Sequence, residues 1–167
     1  MIICSRGDAE GEIGSLIQAI ATQNSIAVSE VYVTRNVLDD DFQNNVGGNV
    51  PAHLPKADVV LVVDTPVAWI ETKAQPAPDA EIIHLGPDPL FTRIPVRGYR
   101  NTHAIQTNTV AGLMALQQAL PGVANAERQA AIDAKSAKFR ATVAAKRDAN
   151  QNGLASNAWV AKCVSDI

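Results

Sequence analysis

Five consecutive apolar residues, Val59-Val60-Leu61-Val62-Val63, constrain this chain more than any other feature. A strand with one wet face alternates apolar and polar side chains. An unbroken, mostly β-branched run has no polar face to offer water, so it must be covered on both sides, as in the middle of a parallel sheet. Glu81 to Leu85, with Ile82 and Ile83 at its centre, is a second strand of this kind. Ile2-Ile3-Cys4 and the stretch Ile26 to Val33 supply two more, and His103 to Thr107 a weaker one.

Helical signals lie between and after these strands. Ile13, Leu16, Ile17 and Ile20 recur at the spacing of one helix face, with Asp8 as a capping residue, Glu10 and Glu12 at the positive end, and Asn24-Ser25 as the close. Asn108 opens a second helix with Val110, Leu113, Met114, Leu116 and Leu120 as its apolar side, and Pro121-Gly122 ends it. From Thr34 to Pro55 the turn formers Asp39-Asp40-Asp41, Asn44-Asn45 and Gly47-Gly48 predict a long loop with one helical turn. Strands separated by helices or crossover loops imply a three-layer, Rossmann-like, doubly wound α/β fold, with a mainly parallel sheet of about five or six strands.

The last third differs. Ala124 to Asn150 is rich in Ala, Lys, Arg and Gln, with Ile132, Phe139 and Val143 as a narrow docking stripe. A final helix starts at Ser156 and places Trp159, Val160, Cys163, Val164 and Ile167 on one side. The expected division is residues 1–122 as a central α/β domain and 123–167 as a helical extension. Both ends read as cut from something longer.

Composition narrows the classes. A length of 167 residues with 47% apolar content suits a globular domain of ordinary size. A net charge of -3 gives no ground for expecting nucleic acid or an anionic membrane as partner, and no apolar run nears the ~20 residues that span a bilayer. Cys4 and Cys163 lack metal or redox spacing and read as two buried, reduced thiols of a cytoplasmic protein.

Few residues point to chemistry. Ser5-Arg6-Gly7-Asp8 sits between a strand and a helix, where doubly wound folds hold phosphates. It lacks the Gly-x-Gly-x-x-Gly spacing, and Asp8 and Glu10 would repel a phosphate, so an ordinary turn competes with a nucleotide contact through Arg6 and Gly7. Asp64-Thr65-Pro66 and Gly86-Pro87-Asp88-Pro89 follow the third and fourth strands. Asp64 and Asp88 there either accept hydrogen bonds from ribose hydroxyls or simply cap proline-flanked turns. His53, His84 and His103 lie in separate elements without ligand spacing, and Asp39-Asp40-Asp41 lacks the glycine and terminal glutamate of a calcium loop. No nucleophile elbow, phosphate loop or zinc-protease helix is present.

In combination, "ADVVLVVDTPVAWI", "PDAEIIHLGPDPLF" and "IQTNTVAGLMALQQAL", preceded by "IICSRGDAEGEIGSLIQAIATQNSIAVSEVY", resemble the central domain of thiamine diphosphate-dependent enzymes of the acetolactate synthase and benzoylformate decarboxylase group. The resemblance covers about residues 1 to 120, and the tail resembles the linker and first helix of the following domain. Gly86 stands where many relatives carry aspartate, Thr107-Asn108 where Gly-Asp is usual, and Ala27 where proline is common. The resemblance implies that catalysis resides elsewhere. A pyrimidine-binding domain supplies the activating glutamate, and a pyrophosphate-binding domain holds magnesium and thiamine diphosphate. The central domain joins the two, supports a homodimer or homotetramer and in some members binds FAD or ADP. Three readings follow: a joining domain, a free-standing FAD- or ADP-binding module, and a purely structural or interaction role.

Overall fold

The computed structural model describes residues 1–39, 41–94, 98–148 and 155–165. Five strands, β1 (Ile2–Arg6), β2 (Val28–Arg35), β3 (Val59–Val63), β4 (Glu81–Gly86) and β5 (His103–Gln106), form one sheet in the order β2-β1-β3-β4-β5. Every neighbouring pair is parallel, with Ile2 opposite both Val28 and Leu61, Leu61 opposite Ile83, and Leu85 opposite Ile105. This order is one of the two common doubly wound arrangements, and its switch point lies between β1 and β3.

Side-chain alternation sorts the sheet into two cores. Ile2, Cys4, Leu61, Val63 and Leu85 point to one face, where helices α1 (Glu12–Asn24) and α2 (Thr109–Ala119) cover them with Ile13, Ile17, Ile20 and Leu113. Ile3, Val60, Val62 and Ile82 point to the other face. Among the described residues, the core on that side is closed by Val50 and Leu54 from two 3-10 turns (Val50–Ala52 and Leu54–Lys56) and by Ala68, Trp69 and Ala80 from the β3–β4 connection. The layers are therefore helices, sheet, and a coat of tight turns.

Where the sequence reads one helical turn between β2 and β3, the chain makes two 3-10 turns, each with proline near its start. Residues 44–46 also run back beside the first residue of β2: Val28 donates to the Asn44 carbonyl at 2.8 Å, and Val46 donates to the Val28 carbonyl at 2.9 Å. The long loop thus extends the sheet for one step.

Helix α3 (Ala126–Asp148) docks through its predicted stripe. Ile132 is buried, and the Phe139 ring lies where a Cβ on Gly47 would stand, so the ring seats on bare backbone at a position whose φ of 78° also favours glycine. Arg128 donates to the Asn24 carbonyl at 2.7 Å and Gln129 to Asn44 Oδ1 at 2.9 Å. Helix α4 (Asn157–Ser165) follows, with Ser156 Oγ accepting from the Trp159 N–H at 3.1 Å. Ile167 lies outside the described residues. Two expectations fail on burial. Met114 turns away from the core and is 48% exposed, and Cys163 is exposed, so Cys4 alone of the two thiols is buried.

Candidate functional site

The carboxyl ends of β1 and β3, at the switch point, carry the best-placed polar groups. Arg6 is the last residue of β1 and Asp64 the first after β3, and their side chains form an ion pair at 3.6 Å. Arg6 is half exposed and Asp64 mostly buried, at 48% and 13%. An ion pair with one wet partner contributes only about 0–1 kcal/mol, so its interest is positional. Asp64 adopts the left-handed conformation at φ 38°, which aspartate tolerates better than most residues. Its N–H donates to the Leu85 carbonyl at 2.9 Å, and a Cβ on Gly86 would stand 3.4 Å from the Asp64 Cα. Thr65 Oγ1 donates to the Val63 carbonyl at 2.7 Å beside Asp64. Ser5 Oγ, buried at the end of β1, has no hydrogen-bond partner among the described residues. The sequence pattern marks Arg6 and Asp64 individually. Their pairing depends on strand order and carries no local signal, whereas the Thr65 bond to Val63 is local.

Gly7 is held by packing. Its N–H donates to the Arg35 carbonyl at 3.2 Å, and a Cβ on it would stand 2.3 Å from the Asn36 carbonyl oxygen. The chain leaving β2 therefore presses against the turn after β1, which needs glycine there for space.

Asp8 settles what occupies the start of α1. Its two carboxylate oxygens accept the N–H groups of Glu12 at 3.1 Å and Ile13 at 3.0 Å. The capping position itself is Gly11, at φ 77°, so Asp8 reaches in from three residues before it. Desolvation pushes the Asp8 carboxyl upward, but the N–H groups of Ile13, Asp8 and Glu12, together with the Arg35 charge, outweigh it and hold the group below its ordinary value. A carboxylate of the chain's own takes the place that an incoming phosphate would need.

Asp88 is the outer member. Its Oδ1 accepts the Thr92 N–H at 3.3 Å and its carbonyl accepts the Phe91 N–H at 3.0 Å, which is the turn-capping alternative. Gln106 Nε2 donates to the neighbouring Pro87 carbonyl at 3.1 Å, and Asn108 Oδ1 accepts the Ala111 N–H at 3.1 Å to cap α2. Arg6 and Asp64 are thus brought together with Gly7 beside them, while Asp88 serves its own turn.

The remaining reactive groups lie away from this edge. His84 is 1% exposed on the turn-coated face, its ring 6.4 Å from that of Trp69, so it is a packed histidine. Burial and then the Glu30 charge push the Cys4 thiol far up, which keeps it protonated and unreactive. Burial, with Lys135 next, pushes His53 down. Among the described residues no group of three or more His, Cys, Asp or Glu is placed to hold a metal ion. Two shallow hollows, of about 250 and 300 Å3, lie beside Trp69 and Tyr99 and between α1 and α2. Neither is lined by Arg6 or Asp64. The strand ends offer Arg6, with Arg35 opposite it at the end of β2, and acceptor carboxylates, equipment for holding a polar ligand.

No model of a known protein family matches the chain, and no curated protein matches it. Among the described residues, no helix is long and apolar enough to cross a membrane.

Proposed function

We propose that the chain is the non-catalytic central domain of a thiamine diphosphate-dependent enzyme of the acetolactate synthase and benzoylformate decarboxylase kind, acting in the cytoplasm. In the parent, the cofactor would supply an electron sink for decarboxylation or carboligation of 2-oxo acids, held with magnesium by domains outside this sequence. The domain's own work is to join those domains and support a homodimer or homotetramer. One observation carries the reading: the three segments of the resemblance fall on β3, β4 and β5–α2, three adjacent strands whose loops emerge at one end of a parallel sheet. Supporting it, Asp8 fills the start of α1 with a carboxylate of the chain's own. The reading frame on either side tests it. A catalytic glutamate upstream and a Gly-Asp-Gly motif downstream are expected, and a frame with neither overturns the proposal.

The Arg6–Asp64 pair at the switch point favours one second reading, a module that binds FAD or ADP with Arg6 toward a phosphate and Asp64 toward a ribose. Calorimetry of residues 1–167 with FAD and ADP distinguishes the two. Micromolar binding that is lost in Asp64→Asn supports the module, and silence with both ligands removes it.

A further inference from the structure

β5 is an open edge. It pairs with β4 on one side, and among the described residues no strand pairs with its other side. All four of its residues are exposed, although parallel strands are ordinarily covered on both faces. Ile105, opposite the buried Leu85 and on the same face, is 45% exposed.

Natural sheets guard such edges with charges, prolines or bulges. Residues 101–109, Asn-Thr-His-Ala-Ile-Gln-Thr-Asn-Thr, contain no Lys, Arg, Asp, Glu or Pro. The opposite edge is guarded. β2 carries Glu30 and Arg35, its register against β1 slips between Cys4 and Arg6, Tyr32 takes φ 44°, and residues 44–46 lie along its start.

We infer that β5 is an association edge whose occupant is β5 of a second copy of this chain, paired antiparallel about a two-fold axis normal to the sheet. Such an axis keeps the faces of both sheets aligned, so opposed residues must point the same way. Centring it on Ile105 sets Ile105 against its own copy, Ala104 against Gln106 and His103 against Thr107. No like charges meet, the exposed isoleucine gains an apolar cross-strand partner, and the sheet becomes ten-stranded across the pair, twice the five strands of one copy. A strand pair alone covers less than the roughly 1,000 Å2 of a stable interface, so association depends on concentration. The inference rests on the edge itself and stands independently of the thiamine-enzyme reading.

Sedimentation of residues 1–167 under reducing conditions, up to about 1 mM, a concentration at which even −4 kcal/mol suffices, reads the outcome. A dimer is expected, with amide exchange at residues 103–106 slowing as concentration rises. Ile105→Lys places two ammonium groups face to face and should weaken the dimer about tenfold or more, while Tyr32→Lys on the other edge leaves it unchanged. In a Cys163→Ser background, Ile105→Cys should form an intermolecular disulfide on mild oxidation, since directly opposed strand residues have suitable spacing. A monomer throughout the range, a dimer indifferent to Ile105→Lys, or protection at residues 28–35 in place of 103–106 overturns the inference.

Discussion

β3 and β5 belong to the same parallel sheet with one strand between them, and they live in different surroundings. Val60 to Val63 are buried on both faces, helices on one side and tight turns on the other, whereas every residue of β5 is exposed. The chain spends its covering elements on the middle of the sheet and on the β2 edge, where the 44–46 segment and α3 close in. Among the described residues, no strand pairs with the outer edge of β5.

The largest effects should come from the covered side of this contrast. Ile82→Ala removes a side chain with no exposed surface and should cost about 2–5 kcal/mol, whereas Ile105→Ala on the neighbouring strand should change monomer stability by less than about 0.5 kcal/mol. Urea denaturation of dilute protein measures both, and equal losses would erase the distinction between centre and edge. Gly7→Ala comes next. Its added Cβ meets the Asn36 carbonyl, so a loss of about 1–3 kcal/mol is expected, while Gly98→Ala, whose Cβ has open space, should be nearly neutral in the same denaturation series.

Asp8→Ala should cost about 1 kcal/mol through the two helix N–H groups it leaves without an acceptor, seen as a lower melting temperature. A pH slope is expected as well, in a polypeptide of residues 1–167 alone. The Met1 ammonium group donates to the Val59 carbonyl at 2.6 Å, and burial, against the opposing Asp58 charge and with Arg128, pushes its pKa from 8.0 down to about 6. Between these values the unfolded chain binds more protons than the folded one, so stability should climb from pH 6 to pH 8 and gain nothing further from this group above that. Acetylating the amine should flatten that slope in thermal melts recorded across the window.

The buried half of this picture is legible from sequence because it is periodic. The run Val59–Val63 matches β3 to the residue, and Ile13, Ile17 and Ile20 fall on the buried side of α1. The bare half is harder to read. His-Ala-Ile-Gln reads equally as a covered or an open strand, since exposure depends on which neighbours the chain supplies. Met114 misleads for the same reason: it lies within an apolar stripe but only lines the open hollow between α1 and α2 and stays half exposed. At the strand ends, Asp88 capping its own turn follows from adjacent residues. The need for glycine at position 7, and the Arg6–Asp64 pair, arise from segments far apart in sequence that only strand order brings together.

Activity decides most directly whether this sheet is framework or catalyst. Carbon dioxide release from 2-oxo acids should be measured with thiamine diphosphate and magnesium, for residues 1–167 and for the product of the uninterrupted reading frame. Turnover by the longer polypeptide and none by residues 1–167 is the expected result. Turnover by residues 1–167 alone would contradict it.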